Sequence, residues 1–221
     1  QEWLDQDNII TDHLKKYGWS GIMSLPRVLT LAKNGELQIN LPEEVEKIRL
    51  SETYEENVAV KSGTEKVLKG NGTALEIKVD FEKAYKLPYG LKVFCSPDGR
   101  EETVIKYDPA TKELVVDFVK SSVKDPVKMP TTCMGKPQLA GFGDVVSEQR
   151  APFELKKGET LKLDVFIDRS IVEVFANGRL CVTQMVYPEL AQSQQVRLFS
   201  ESEDIMAKKV QTWKMAETNA Y

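Results

Sequence analysis

Few side chains in this sequence are of the kinds that perform chemistry, and their spacing informs mainly by exclusion. The one histidine, His13, stands in Asp12-His13-Leu14-Lys15-Lys16, which reads as a solvated loop, so no second imidazole exists for a Ser/His/Asp or Cys/His relay. Cys95, Cys133 and Cys181 are far apart, odd in number and free of any C-x-x-C pair. That spacing supports neither a disulfide framework nor a zinc site, and the three are expected as buried free thiols. Asp108-Pro109 and Asp125-Pro126 sit among turn residues, so their carboxylates are read as turn formers. Asp168-Arg169-Ser170 places a hydroxyl near a carboxylate, but with no base nearby and a strand on each side it is expected to be a tight connection held by an Asp–Arg pair. Glu173, between Val172 and Val174, is either a solvent-facing alternation residue or a partly buried carboxylate paired to Arg169 or Arg179; the pairing is the favoured reading. No catalytic residue, metal-ligand set or cofactor site emerges.

The elements that would position these residues are strands. Leu75, Ile77, Val79 and Phe81 alternate with Glu76, Lys78 and Asp80, the pattern of a strand with one face buried and one in water. Leu91–Cys95 and Glu102–Tyr107 form a hairpin across Ser96-Pro97-Asp98-Gly99, and Glu113–Phe118 returns after the turn at Tyr107–Lys112. Leu161, Leu163, Val165 and Ile167 alternate again, followed by Ile171–Ala176, then by Asn177-Gly178, the dipeptide preferred in type I′ hairpins, and by Leu180–Val186. Val196–Ser200 and Ile205–Trp213 complete an all-β pattern, an antiparallel two-sheet sandwich of jelly-roll or lectin-like type. Trp3, Trp19, Trp213, Tyr85, Tyr89, Tyr107 and Tyr187 are scattered, which predicts core packing rather than a sugar platform. Asn71-Gly72-Thr73 has the form of a glycosylation sequon but reads as a turn.

The beginning differs in character. Trp19–Leu31 predicts one or two strands, Asn34-Gly35 a turn, and Glu36–Ile39 its return strand. Pro42 followed by Glu43, Glu44, Val45, Glu46, Lys47 and Ile48 predicts a short helix, with acids first and bases last. The expected organisation is therefore a leading segment over 1–42, a linker over 43–53 and a sandwich over 54–221.

Bulk properties narrow the function classes. The sequence has 221 residues, a net charge of −4 and 29% charged residues. It is long enough for one substantial core, and it has no basic footprint for nucleic acid or an anionic membrane. No apolar run reaches the ~20 residues of a membrane span. Gln1-Glu2-Trp3 carries no leader pattern, so a targeting signal is expected in sequence outside this chain, and extracellular, periplasmic and cytoplasmic locations all stay open.

Two stretches carry a resemblance. Tyr17-Gly18-Trp19-Ser20-Gly21-Ile22-Met23-Ser24-Leu25-Pro26-Arg27-Val28-Leu29 resembles a signature of glycoside hydrolase family 32, the invertases, inulinases and levanases. Phe166-Ile167-Asp168-Arg169-Ser170-Ile171-Val172-Glu173-Val174-Phe175-Ala176-Asn177-Gly178 resembles the strand pair of that family's C-terminal sandwich, and Gln149-Arg150-Ala151-Pro152-Phe153 the segment before it. The resemblance implies that residues 1–42 end the last blade of a five-bladed catalytic propeller and that Trp19 could touch substrate in an intact parent. It also implies structural roles for Arg150, Asp168, Arg169 and Glu173. Phe118 stands where the family often has an arginine. The retaining chemistry of such enzymes needs two carboxylates about 5 Å apart, and the family's Asn-Asp-Pro-Asn, Arg-Asp-Pro and Glu-Cys motifs do not occur in this sequence.

The implied partner is the catalytic propeller of the same parent, which would cleave sucrose or fructans. The expected role is a non-catalytic accessory module that packs on the propeller and shapes its cleft. Two alternatives stand beside it: a lectin-like module that binds fructan, and a structural module whose leading segment mediates homo-oligomer contacts.

Overall fold

The structure, a computed structural model, describes residues 22–124, 129–130 and 145–217; Trp3, His13, Trp19, Asp125 and Cys133 lie outside the described residues. An antiparallel hairpin comes first, β1 (Val28–Leu31) and β2 (Leu37–Asn40), with Gly35 at positive φ in its turn. Glu43–Ile48 follows as a 3-10 helix with Pro42 at its N-cap. The acid-to-base order suits the helix dipole, but six residues with a single buried side chain, Val45, give an α-helix little to pack on. The expected linker is shorter than read from the sequence, because strand β3 (Arg49–Val60) begins directly after Ile48.

The remaining strands are β4 (Glu65–Asn71), β5 (Ala74–Phe81), β6 (Tyr89–Cys95), β7 (Thr103–Asp108), β8 (Glu113–Asp117), β9 (Met129–Pro130), β10 (Val145–Val146), β11 (Glu148–Pro152), β12 (Lys162–Asp168), β13 (Ile171–Ala176), β14 (Leu180–Met185), β15 (Gln195–Ser200) and β16 (Ile205–Met215). They build two antiparallel six-stranded sheets. Sheet one has the order β11-β8-β7-β6-β15-β4, sheet two β14-β13-β12-β5-β16-β3, and β9 pairs with β10 alone.

The sheets face each other across one core, as two half-apolar sheets must. Leu75, Ile77, Val79 and Phe81 of β5 meet Leu163, Val165 and Ile167 of β12 and Val172 and Val174 of β13 on sheet two's inner face; Leu91, Ile105, Val116 and Leu198 come from sheet one. Phe118 is also fully buried there, an apolar side chain in the sandwich core where an ion pair would have no partner. Tyr85, Tyr89 and Tyr107 join Phe81 and Phe153 in a run of edge-to-face contacts, with centroids 4.8–6.0 Å apart. Asn177 and Gly178 both have positive φ, as a type I′ turn requires.

The outer face of sheet two departs from the half-solvated strand that the alternation predicts. Glu76 is fully buried, and so are Glu173, Phe166 and Phe175. Residues 22–48 lie over this face, and Leu25, Ile39, Leu41 and Val45 pack with Phe166, Phe175 and Met215 in a second apolar cluster. At the far edge of the sheet, β3 has no second neighbour among the described residues; Glu52 and Glu56 are exposed on it, and Asn57 breaks its pleat at φ 51°.

One position in sheet one is fixed by backbone contact. A Cβ added at Gly90 would lie 2.0 Å from the Ile105 carbonyl oxygen, so Gly90→Ala is expected to lower stability by about 2–3 kcal/mol, the scale of a core overpacking error. Urea unfolding checks this, and a loss below about 0.5 kcal/mol would contradict the packing described.

Candidate functional site

The covered face of sheet two concentrates the charge chemistry of the molecule. Strand register sets Thr183, Glu173, Phe166, Glu76, Trp213 and Glu52 in one line across all six strands. The adjacent line includes Cys181, Phe175, Asp164 and Lys78. Two carboxylates are thereby carried into a covered face with one phenyl ring between them.

Each carboxylate is met by an arginine from outside sheet two's central strands. Arg49, at the start of β3, binds Glu76 through Nε at 2.5 Å and Nη2 at 2.6 Å, a two-point fork, while Lys78 Nζ lies 3.2 Å away. The Arg49 guanidinium also lies 4.3 Å over the Trp213 ring, and the Glu76 hydrogen bond holds its pKa above the ordinary value. Arg27, just before β1, donates from Nη2 to Glu173 Oε2 at 2.9 Å, and the Leu25 N–H donates to Oε1 at 2.7 Å. Thr183 and Cys181 accept further Arg27 hydrogen bonds, at 2.7 and 3.3 Å. Burial raises the Cys181 thiol pKa, against the pull of Arg27.

Asp164 is held less completely. Lys78 Nζ approaches its Oδ2 at 3.5 Å, while its Oδ1 is buried without a hydrogen-bond partner. It lines a cleft with Lys78, Asp80 and Lys162 under Asn40 and Leu41. Burial pushes its carboxyl up to about 7.

This arrangement clamps chain segments onto the sheet. Glu76 and Glu173 are two strand spacings apart, roughly 10 Å, and each is saturated by a cation. Among the described residues no three His, Cys, Asp or Glu side chains cluster to hold a metal ion.

The structure redistributes the residues singled out in the sequence. Glu173 pairs with Arg27, not with Arg169 or Arg179. Arg179 instead binds Glu159 and lies 4.4 Å over Phe153. Asp168 and Arg169 do not pair with each other; Arg169 reaches Glu217 at 3.3 Å. Backbone closes that turn, through the Ser170 N–H to the Asp168 carbonyl at 2.5 Å and the Arg169 N–H to the Thr73 carbonyl at 2.7 Å, with Arg169 at φ 52°. Arg150 forms exposed pairs with Glu113 and Glu148 at sheet one's edge. Of the predicted free thiols, Cys95 is buried and Cys181 partly so. Glu76, Arg49 and Asp164 were not singled out; the signal available for Glu76 and Asp164 was a charged residue inside a strand flanked by long strands, and Arg49, at the start of β3, offered none.

The profile of the family described as "Glycosyl hydrolases family 32 C terminal" matches residues 44–214. A fructan 6-exohydrolase of Triticum aestivum is 27% identical over 90% of this chain and 38% of its own length. An insoluble β-fructofuranosidase, isoenzyme 5 of Oryza sativa subsp. japonica, is 26% identical over 97% of this chain and 44% of its own. The crystal structure of fructan 1-exohydrolase IIa from Cichorium intybus aligns with a TM-score of 0.74 and 19% identity, covering 95% of this chain and 44% of that one, a likeness of fold. The chain thus spans less than half the length of these relatives.

Two measurements test the site. Glu76→Ala leaves Arg49 without its buried partner and is expected to cost about 3–5 kcal/mol in urea unfolding; a cost under about 1 kcal/mol would mean that the clamp is idle. The Asp164 carboxyl sits above its unfolded value of about 4, so its contribution to stability is present below about pH 4 and is lost as pH rises towards 7. The stability of Asp164→Asn relative to wild type should therefore climb between those pH values and then level off; a flat difference would rule out the shift.

Proposed function

The chain belongs to the glycosyl hydrolase family 32 C-terminal family, and from that premise we propose that it is the non-catalytic sandwich of a longer enzyme that hydrolyses β-fructosidic bonds of sucrose or fructans by a retaining mechanism. Its role is to pack against the catalytic propeller, keep it folded and shape one side of its cleft. Residues 1–42 are proposed as the tail of that propeller, with β1 and β2 as strands of its last blade.

One observation carries this reading. Among the described residues, six of the eleven exposed large apolar side chains, Ile22, Met23, Val28, Leu29, Leu31 and Leu37, fall in the first sixteen positions. The other five are scattered over the sandwich. An apolar surface of this kind marks a face meant to be covered, and among the described residues β1 pairs only with β2, which leaves its other edge open. The family match begins at residue 44, after this hairpin. That boundary supports assigning the hairpin to the part of the parent that precedes the sandwich.

Two results are expected. The purified 221-residue chain releases no fructose from sucrose, inulin or levan, and measurable release by pure material would overturn the non-catalytic role. Replacing Leu29 and Leu31 together by aspartate weakens association with a separately made polypeptide carrying the family's catalytic motifs by at least about tenfold, or ~1.4 kcal/mol. Unchanged binding in sedimentation, or loss of a self-association that involves no such partner, would point to the oligomerising alternative.

A further inference from the structure

Residues 22–27 have neither helix nor strand, and among the described residues they make no backbone–backbone hydrogen bond. What holds them is a set of side chains on sheet two. Leu25 precedes Pro26, and a residue before proline is biased to extended backbone, so the Leu25-Pro26 pair stiffens the segment where it meets the sheet. Pro26 offers no N–H. Two donors of the segment converge on one receptor, the Leu25 N–H on Glu173 Oε1 and the Arg27 guanidinium on Glu173 Oε2, Thr183 Oγ1 and Cys181 Sγ, while Ser24 Oγ accepts from Arg27 Nη1 at 2.7 Å. The Arg27 guanidinium lies 5.8 Å from the Phe175 ring centroid, and the Leu25 side chain joins the cluster around Phe166 and Phe175. Glu173 is 2% exposed, so its charge is desolvated for the sake of this contact.

We infer that Glu173, with Thr183, Cys181 and Phe175, is a recognition site for an extended Ser-Leu-Pro-Arg peptide, and that through it the sandwich fixes where the preceding part of the polypeptide meets its surface. Backbone amide plus guanidinium on one buried carboxylate gives two-point, directional recognition, and the proline lowers the entropy lost on docking. The other arm of the hairpin is tied down independently: the Ile39 N–H donates to the Gly178 carbonyl at 2.7 Å, and Glu36 pairs with Lys156 and Arg179. Glu173 therefore governs residues 22–27, while β1 is held through its ladder with β2. Resting on the hydrolase reading above, the same site makes Glu173 a positioning residue for the reaction: it never touches substrate, yet it orients the segment that enters the catalytic part.

The test separates these two statements. In the 221-residue chain, amide hydrogen exchange is compared for wild type, Glu173→Gln, Arg27→Gln and Arg27→Lys. The expected result is a tenfold or greater acceleration at the Leu25 amide, within residues 22–27, in the first two variants, partial protection in Arg27→Lys, and unchanged exchange over residues 28–41 and in β12 and β13. Unchanged exchange over 22–27, or equal acceleration throughout sheet two, would overturn the recognition site. In the longer polypeptide with its catalytic part, Glu173→Gln should lower kcat about tenfold while exchange in β12 and β13 stays at the wild-type rate; an unaltered kcat would overturn the positioning role. An unmutated longer polypeptide that releases no fructose would overturn the hydrolase reading, and the exchange result alone would then decide the recognition site.

Discussion

A carboxylate in the centre of a covered β-sheet face loses its water, and it stays charged only where cations and N–H groups replace that water. Sheet two buries two such groups, Glu76 and Glu173, on the face opposite the sandwich core. The arrangement of the layer above follows from satisfying them. Arg49 must sit where the 3-10 turn hands over to β3, and Arg27 must sit where the leading segment hands over to β1, because those are the points from which each guanidinium reaches its partner. Phe166 lies between the two carboxylates and keeps the clamps separate.

This explains why the 22–48 segment lies across sheet two and does not fold into the core. Its apolar side chains are too few for a core of their own, and the main core is already filled from both sheets. The second cluster around Val45, Phe166 and Phe175 is small, and the ionic clamps supply the directionality that so small an apolar contact lacks. Asp164 marks where that system is least complete, with one oxygen facing a lysine at 3.5 Å and the other facing no donor.

Much of the sandwich was legible in the sequence because strand periodicity and turn chemistry are local. The inward set Leu75, Ile77, Val79 and Phe81 and the Asn177-Gly178 turn could be read directly. The covered outer face could not, since Glu76 alternates with apolar residues in the same way whether water or Arg49 lies above it. The partner of Glu173 was misassigned for a related reason: Arg169 and Arg179 are close in sequence, whereas Arg27 is 146 positions away and meets Glu173 only once β13 is seated in its sheet. The Asp168-Arg169-Ser170 turn looked as though it needed an ion pair, but its backbone closes it unaided. In the 43–48 segment the short helix and its charge order were legible, and its 3-10 type was left open, because a dipole argument says nothing about how much surface a short helix has to bury.

The edge strand β3 carries a consequence for how such a module survives among many copies of itself. A twelve-residue strand with one open side could template a neighbour's strand and begin a filament. In an antiparallel copy centred on Tyr54, Glu52 of one strand would face Glu56 of the other, and the kink at Asn57 cuts off the last third of the strand from a straight partner. The β1 hairpin has no comparable guard: its open edge is lined by leucine and valine. One exposed edge is thus guarded by charge and a kink, and the other, on a separate two-stranded sheet, is left apolar.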